Sequence, residues 1–558
     1  MQVPPRKFEW SIGIQWSIDM RLYPTTLYRV FTDNTIDECV KYPKGLRSRR
    51  FERMQYQIET RLANEVTVGR NHSVPMFERH LIRLSSNIRR SLPQSFPYDI
   101  ILAEDESDRI ASSRFDFLSE CIAIAERGMS MSTKSVDEFL ARHRQDAGSI
   151  DAMRWTKTLL ADMKAGLENR PSGLEMNPSY LSPDIRVRPY RKVLAMDAGG
   201  THFRYALATT DENAKITLGK IHSIPMPGSA AMLSKIAFYD AIAVSVEEFA
   251  KAADSIGFCF SYSVAMTPDI DGTLTDWAKE IDAPEVIGSR VGACTKEALR
   301  NRGVNPGRII LLNDTVSTLL AGMDALPPDH FAGGVGFVYG TGINVGYAER
   351  CENIMKRTAP GFGGRMVINT ECGNYNGLLQ GSFDRIVDDA SLQPGTAKTE
   401  KMTSGRYLSD VIVTALKQAM LEGLILTGTD RIDGRTCGLA AISAFIADPN
   451  REDNPLHAAF SSPADRDTAA SIAIALIDRA AKIGAIMTAA AILKTAADAK
   501  DPRPYAIFAE GTTFHRLSGY RTAYAKHLQT VLADDDITFE IITGPDWPLI
   551  GAAIAALS

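Results

Sequence analysis

The chain contains 558 residues, of which 45% are hydrophobic and 23% are charged. This composition is typical of a globular protein and excludes a collagen-like, coiled-coil or wholly disordered chain. The formal net charge is -5, from 62 basic and 67 acidic residues. This mildly acidic balance argues against nucleic acid as the main partner, because phosphate binding favours a basic surface.

Cysteine usage and hydropathy predict a cytoplasmic protein without a membrane partner. The seven cysteines are scattered and no pair forms a C-x-x-C motif, which favours reduced thiols over disulfides or a zinc site. The start, MQVPPRKFEW, lacks the apolar core of a signal peptide. Residues 468–499 are strongly apolar but interrupted by charges, so we expect a buried helix there and not a membrane span.

Residues 1–130 differ from the rest of the chain. They are rich in arginine, with RSRR at 47–50, and carry no catalytic motif. Three interpretations stay open: a poorly ordered extension, an accessory segment, or a true translation start at Met129 or Met131. This extension is therefore left without an assigned function.

From Val136 the pattern predicts helices, then an extended connection over 178–189. Residues 192–226 predict a three-stranded antiparallel meander, whose strands are VLAMD, FRYALATT and ITLGKIHSI. A helix over 230–253 and a strand over 257–263 follow. Beyond them, IILLND predicts a strand that leads into a helix. This alternation of strands and helices indicates an α/β architecture.

The second half of the sequence repeats the pattern weakly. Two strands meet at a glycine turn at 340–342, residues 410–499 are mainly helical, and IFAEGTTF begins a strand–turn–helix unit. The chain ends with FEIITG and a predicted helix over 551–557. The glycine turns at 199 and 340 suggest two similar halves.

Three glycine turns follow apolar strands. In Asp197-Ala198-Gly199-Gly200-Thr201-His202-Phe203-Arg204, two glycines allow a ligand close to the backbone, and N–H groups can face an anion. The other turns are Gly340-Thr341-Gly342 and Glu510-Gly511-Thr512-Thr513. None matches a Walker A motif or a dinucleotide fingerprint. Each alone is compatible with an ordinary hairpin, but the three together suggest a nucleotide held between two domains.

Polar residues with possible chemistry stand in apolar surroundings. Asn313 and Asp314 end a buried strand, where they can cap the next helix and where Asp314 can also accept a proton. The others are Ser261, Lys279, Asn344, Glu371 and Glu400. Together they offer the amide, carboxylate and hydroxyl groups of a sugar site.

The order of these motifs, from about residue 136 to 558, resembles the hexokinase family. Seven segments carry the resemblance: LAMDAGGTHFR, GFCFSYSV with DIDGTLTDWAKEID, LLNDTVSTLLAG, GTGINVGY, INTECGNYNG, TEKMTSGRYLSD and AEGTTFHRLSGY. The resemblance implies a two-domain actin-like ATPase (ribonuclease H-like) fold with an interdomain cleft. It implies a large domain over 131–189 and 314–543, and a small domain over 190–313 and 544–558.

The resemblance also implies roles, residue by residue. Asp314 would be the general base on the sugar 6-hydroxyl, and Lys279 would also neutralise charge on the transferring phosphoryl group. The sugar would be held by Ser261, Lys279, Asn313, Asp314, Asn344, Glu371 and Glu400. ATP would be bound by Asp197, Gly199, Gly200, Thr201, Arg204, Gly340, Thr341, Gly342, Gly511 and Thr512, with Mg²⁺ held by Asp197 through water.

The sequence departs from the family pattern at three positions. His202 stands where the family usually has Asn, Ala278 where it usually has Thr, and Cys372 where Trp is frequent. These departures concern sugar preference and affinity more than activity. The implied function is phosphorylation of a hexose, glucose in the first place, by MgATP at the start of glycolysis. A kinase for mannose, fructose or N-acetylglucosamine and a non-catalytic sugar-binding regulator are the alternatives, and the oligomeric state stays open.

Overall fold

The computed structural model describes residues 7–9, 15–17, 135–277, 281–327, 329–356, 363–428, 432, 434, 437–496 and 501–558. The chain divides into two units, Met1–Gly128 and Met129–Ser558. In the first unit, the described strands Lys7–Glu9 (β1) and Gln15–Ser17 (β2) form an antiparallel pair. The other predictions for residues 1–130, and a start at Met129 or Met131, lie outside the described residues.

The second unit begins with two helices, Val136–Arg142 (α1) and Ala152–Leu167 (α2). Ser135 and Asp151 cap them, since each side chain accepts a hydrogen bond from a first-turn N–H. A short strand, Asn177–Pro178 (β3), follows and adds to the edge of a sheet formed further along the chain. The predicted helices are confirmed, and residues 179–189 contain no helix or strand.

The first large sheet contains the strands Lys192–Ala198 (β4), His202–Thr210 (β5), Ile216–Leu218 (β6), His222–Pro225 (β7), Ser255–Phe260 (β8) and Ile309–Leu312 (β11). Their order is β11-β8-β4-β5-β6, and β7 also pairs with β5. The helices Lys235–Lys251 (α3) and Val291–Asn301 (α4) precede β8 and β11 along the chain. A separate pair, Ser263–Thr267 (β9) and Asp271–Asp276 (β10), lies between β8 and α4. The strands β4, β8 and β11 run parallel, so their carboxyl ends meet at one edge.

The predicted third strand of the meander is wrong as a single element. It is two strands, β6 and β7, and both pair with β5. Between them the N–H of Gly219 donates to the carbonyl of Leu207, and the chain leaves the regular ladder at that point. Since β5 is nine residues long, it has room for both short partners along its length.

The second large sheet contains β3 and the strands Gly333–Tyr339 (β12), Ile343–Arg350 (β13), Arg365–Asn369 (β14), Tyr505–Glu510 (β15) and Phe539–Ile542 (β16). Their order is β16-β15-β12-β13-β14-β3. Apart from the short strands β7 and β3, each large sheet has three antiparallel strands followed along the chain by two parallel ones, with helices between. The similarity that the glycine turns suggested is one of topology.

Helices surround the second sheet and link it to the first. They are Asp314–Asp324 (α5), Ser382–Asp389 (α6), Lys398–Thr403 (α7), Leu408–Leu421 (α8), Leu439–Ala447 (α9), Pro463–Ala496 (α10), Thr512–Arg516 (α11), Tyr520–Leu532 (α12) and Trp547–Ala556 (α13). The predicted final helix began four residues too late. Pro548 lies in its first turn, where proline is tolerated because no N–H is needed there.

Two helices cross between the sheets. α5 leaves the first sheet after β11 and packs on β12, while α13 leaves the second after β16 and packs on β4 and β8. Glycines permit this contact: a Cβ on Gly336 would lie 2.4 Å from the Thr315 carbonyl oxygen, and one on Gly257 would lie 1.8 Å from that of Ala552. α5 therefore follows a strand of the first sheet and covers the second, whereas α13 follows a strand of the second sheet and covers the first.

The long apolar stretch at 468–499 falls largely in α10, which is buried along most of its length, so that prediction is confirmed. The helix carries Arg479, which forms a fully buried ion pair with Asp384 of α6. Among the described residues, no helix has the length and apolar character required to cross a membrane.

Candidate active site

The first glycine turn joins β4 to β5 and is held in place by backbone contacts. The N–H of Gly199 donates to the carbonyl of His202 at 3.1 Å, which closes the turn. The Tyr262 hydroxyl donates to the carbonyl of Gly199 at 2.7 Å, and the N–H of Ser261 donates to that of Ala198 at 3.2 Å. The predicted sugar residue Ser261 therefore adjoins the predicted phosphate turn.

Arg204 lies against carboxylates. Its Nε and Nη2 donate to Oδ2 of Asp197 at 2.9 and 2.7 Å, and its Nη1 donates to Asp546 at 2.9 Å. Burial lowers the pKa of the Arg204 guanidinium, but the two aspartates outweigh this and raise the pKa overall. Asp546 was not predicted from the sequence, although its position directly before the last helix was an available signal.

The strand ends bring Asp314 to the same edge as Asp197. Cys259 of β8 is in register with Asp197 of β4 on one side and with Leu312 of β11 on the other. Asn313 caps α5, since its Oδ1 accepts from the N–H of Thr315 at 2.8 Å. The predicted cap is confirmed. Asp314 Oδ1 also accepts from Thr315 N–H at 2.8 Å, and Oδ2 has no hydrogen bond within the described residues.

A chain of amides and carboxylates lies beside Asp314. The Asn344 side-chain NH₂ donates to Asn369 Oδ1 at 2.8 Å, and that of Asn369 donates to Glu371 Oε1 at 2.7 Å. Glu371 itself has φ of 52°, an uncommon left-handed conformation for a side chain of this kind. Asn369 was missed by the sequence analysis, although it stands at the end of β14 beside two predicted site residues.

The carboxyl group of Glu371 has a raised pKa. Burial raises its pKa to about 8, against the opposing hydrogen bond from Asn369, and neighbouring carboxylates strengthen the effect. Those carboxylates are Glu175, Asp314 and Glu400. At neutral pH the protonated form therefore dominates, and this form can donate a hydrogen bond as well as accept one.

Replacing Glu371 with glutamine should remove a pH-dependent cost of folding. The unfolded chain ionises this carboxyl near its ordinary pKa of about 4.3. Because the folded pKa is higher, the native state binds the extra proton, so wild-type stability falls as pH rises between the two values. We expect the Tm of Glu371→Gln, relative to wild type, to increase from pH 5 to pH 9. The exposed Glu452→Gln serves as the control, and an equal Tm difference for Glu371→Gln at every pH would contradict the prediction.

The side chain of Glu400 lies against the second glycine turn. A Cβ on Gly342 would come within 2.8 Å of Glu400 Oε2, and one on Gly373 within 3.2 Å of the same atom. These glycines leave the space that the carboxylate occupies, which places Glu400 between the turn at 340–342 and the segment that carries Glu371.

Three loops meet at the second glycine turn. The carbonyl of Gly340 accepts from the N–H of Gly405 at 3.0 Å and from the Thr513 hydroxyl at 2.9 Å. The carbonyl of Thr341 accepts from the N–H of Arg406 at 3.1 Å. Gly511 has φ of 117° and directly adjoins Tyr339 and Gly340, with Thr512 starting α11 beside it. The structure thus joins two predicted nucleotide turns. It adds the loop 404–406 of the segment TEKMTSGRYLSD, whose contact with these turns was not predicted.

Glu510 lies near Arg204, whose hydrogen bond to Asp546 links β5 of the first sheet to the loop after β16 of the second. Burial raises the pKa of the Glu510 carboxyl, at the end of β15, to about 7. Arg204 lowers that pKa and Asp197 raises it, so all three side chains act on one another. Predicted residues from both halves therefore surround one cleft. Ala278 and Lys279 lie outside the described residues, and the predicted role of Lys279 stays a prediction.

The acidic side chains near Arg204 are suited to a metal ion that binds together with a phosphate ligand. No cluster of three or more His, Cys, Asp or Glu side chains in the described part of the chain is arranged to hold a metal by itself. Mg²⁺ commonly binds through one or two carboxylates, with waters and substrate phosphates completing its shell. Asp197, with Glu510 and Asp546 nearby, offers that kind of donor set.

Comparison with known proteins identifies the family. Two family models, both described as Hexokinase, match residues 135–323 and 334–558. The chain belongs to the hexokinase family. Hexokinase HKDC1 of Mus musculus is 30% identical over 407 residues, which cover 69% of this chain and 41% of that protein. Hexokinase-1 of Schizosaccharomyces pombe is 28% identical over 53% of this chain and 64% of its own length.

The hexokinase fold is confirmed by solved structures. A hexokinase from Schistosoma mansoni, complexed with glucose, has a TM-score of 0.65 at 22% identity, and the match covers 76% of this chain and 99% of that one. A second hexokinase structure has a TM-score of 0.57 at 20% identity. The predicted two-domain actin-like fold is thus correct. The chain nonetheless spans less than two thirds of the length of these curated hexokinases.

Proposed function

We propose that the protein transfers the γ-phosphoryl group of MgATP to the 6-hydroxyl of a hexose. The observation that carries this proposal is the position of Asp314. Its Oδ1 is held by the N–H of Thr315, its Oδ2 points to no other hydrogen-bonding group of the described residues, and it lies close enough to Glu371 to raise the pKa of that carboxyl. A fixed carboxylate with one free oxygen beside a polar pocket suits a general base.

The polar chain next to Asp314 suits a hexose. Amide and carboxylate groups converge from the ends of three segments, and each can bind a different hydroxyl. In this assignment Asn313, Asn344, Glu371 and Glu400 contact the sugar, together with Ser261 and Lys279. A protonated Glu371 would donate to one sugar oxygen, while Glu400 would accept from another.

The glycine turns suit a nucleotide. The turn of Gly199, Gly200 and Thr201 on one side and the turn of Gly340, Thr341 and Gly342 on the other would bring backbone N–H groups to the phosphates. The N–H groups of Gly199 and Gly340 close these turns, by donating to His202 and Gly342. Gly511 and Thr512 would contact the adenosine side. Because Asp197 and Asp546 already engage Arg204, we assign Arg204 first to ordering these carboxylates, one of which would orient the water shell of the magnesium ion in MgATP.

Catalysis would depend on positioning. Phosphoryl transfer has a loose transition state that demands little covalent chemistry from the protein. The chain's contribution is to place the hexose hydroxyl in line with the phosphoryl group, to let Asp314 take the proton, and to exclude water that would otherwise accept the phosphate. We further propose that the two halves close around the cleft, with junctions near Asn313 and near Thr543-Gly544.

Glucose is our first candidate for the hexose, because the hexokinase from Schistosoma mansoni was solved with glucose. Kinases for mannose, fructose or N-acetylglucosamine would use the same arrangement. A non-catalytic sugar-binding regulator is a weaker candidate, since Asp314 and all three glycine turns are present.

We expect the full chain to release ADP from MgATP only when a hexose is supplied. A panel of glucose, mannose, fructose, glucosamine and N-acetylglucosamine, followed by coupled ADP detection, would rank the substrates. 6-Deoxyglucose is the matched control, because it lacks the hydroxyl that accepts the phosphoryl group. Turnover with 6-deoxyglucose would contradict the assigned position of transfer, and binding of a sugar without any turnover would favour the regulator.

A further inference from the structure

The segment 391–397, here called the strap, joins α6 to α7 and connects the two halves of the cleft. The side-chain NH₂ of Gln393 donates to Oδ2 of Asp276 at 3.1 Å. Asp276 is the last residue of β10 and directly precedes Trp277 and the segment that contains Lys279. Its other oxygen accepts from the N–H of Trp277 at 2.8 Å. The strap therefore contacts the predicted sugar segment DIDGTLTDWAKEID at Asp276.

The other side of the strap is fixed by a buried ion pair. Lys401 Nζ donates to Oδ1 of Asp388 and to the backbone carbonyl of Gln393, both at 2.6 Å. The same Asp388 oxygen accepts from the N–H of Gly395 at 3.0 Å. The side chains of Lys401 and Asp388 are only 4% and 5% exposed. A buried ion pair gives little net stability for its desolvation cost. We therefore assign this pair to fixing the geometry of the strap.

Lys401, which holds the strap, lies next to the proposed sugar contact Glu400. Lys401 immediately follows Glu400 in α7, whose six residues are too few to form a stable helix unaided. Contacts with its surroundings must therefore hold α7 in place. The hydroxyl of Tyr339 provides one by donating to the carbonyl of Thr403 at 2.6 Å, and Lys401 provides another. Any displacement of the strap at Gln393 acts on Lys401 directly and on Glu400 through the helix.

We propose that Gln393 and Lys401 are positioning residues for hexose binding, which couple Asp276 at the end of β10 to the carboxylate of Glu400. Neither needs to touch the substrate. This inference rests on the proposed function, since it concerns the same sugar site. It assigns to an exposed loop the task of holding the end of β10 and the helix α7, one from each half, at a fixed separation.

Gln393→Glu is the sharpest test, because it places a carboxylate against that of Asp276. Like charges at this distance repel, so we expect the KM for hexose to rise about three- to tenfold and the KM for MgATP and the Tm to stay near wild type. Gln393→Ala should have a smaller effect in the same direction. Gln529→Ala, at an exposed glutamine on α12, is the matched control and should leave both constants unchanged.

Rescue separates coupling from a general disturbance. Adding Asp276→Asn to Gln393→Glu removes the repulsion and restores a donor–acceptor pair, so hexose KM should return toward wild type. An unchanged hexose KM in Gln393→Glu, or no rescue in the double variant, would overturn the inference. The proposed function would still stand as long as the wild-type protein turns over a hexose. Absence of hexose-dependent turnover in wild type would instead overturn the proposed function. Calorimetric hexose Kd values for the same variants should follow the KM values.

Discussion

Replacement of Asp314 by alanine or asparagine is expected to lower kcat by about 10²–10⁴-fold, the usual contribution of a general base. Hexose affinity should change little, because the amides and glutamates beside Asp314 supply the other hydroxyl contacts. The measurement is steady-state turnover with MgATP and the preferred hexose, combined with calorimetric titration of hexose alone. A variant that keeps the wild-type kcat would remove Asp314 from its assigned role.

Two features of α5 make this substitution interpretable. Oδ1 of Asn313 accepts from the N–H of Thr315, as Oδ1 of Asp314 does, so the helix start should keep a side-chain cap after the change. Asp324 is the last residue of the same helix, and Asp324→Asn therefore removes an equal charge far from the predicted chemistry. We expect that control to retain wild-type kcat. Equal losses in both variants would point to a general effect of charge or stability.

Gly511→Ala should cause the second large loss, this time in nucleotide binding. The glycine has φ of 117°, and a Cβ there would lie 2.2 Å from the Tyr339 carbonyl oxygen and 2.9 Å from the Gly340 nitrogen. Relief of that clash must move the turn at 340–342 away from α11. We expect the KM for MgATP to rise by about tenfold or more, which corresponds to about 1.4 kcal/mol of binding, together with a lower Tm.

Gly519→Ala is the matched control for backbone strain. Gly519 also has positive φ, at 80°, but nothing lies within 4 Å of its Cβ position. Its substitution should cost about 1–3 kcal/mol of stability through strain alone and leave the KM for MgATP unchanged. If both alanine variants raised the KM for MgATP equally, the contact between the turns would not explain the effect.

The sequence predicted the alternation of strands and helices because apolar periodicity and glycine turns are local signals. Most segments at the predicted site are present where expected: Asn313 caps its helix, and the turns at 340–342 and 511–512 adjoin each other. Local patterns do not predict an element correctly where a contact with a distant part of the chain determines its bounds. The division of the predicted strand into β6 and β7 depends on the length of β5 and on Gly219.

The missed residues have a common physical reason. Asn369 and Asp546 are each ordinary polar residues at strand or helix ends, and only the folded chain brings them to Glu371 and Arg204. Likewise, the loop 404–406 contacts Gly340 from more than sixty positions away along the sequence. Spacing within one segment carries no information about such partners.

The exchange of helices between the sheets has a consequence for synthesis. The first sheet is complete as a set of strands once residue 312 has been made, yet the helix that covers β4 and β8 is residues 547–556. A nascent chain therefore carries an uncovered apolar sheet face until nearly all of the second half has left the ribosome. Chains arrested before that point would be prone to aggregate and would be clients for chaperones, and the two halves are expected to reach the native state together.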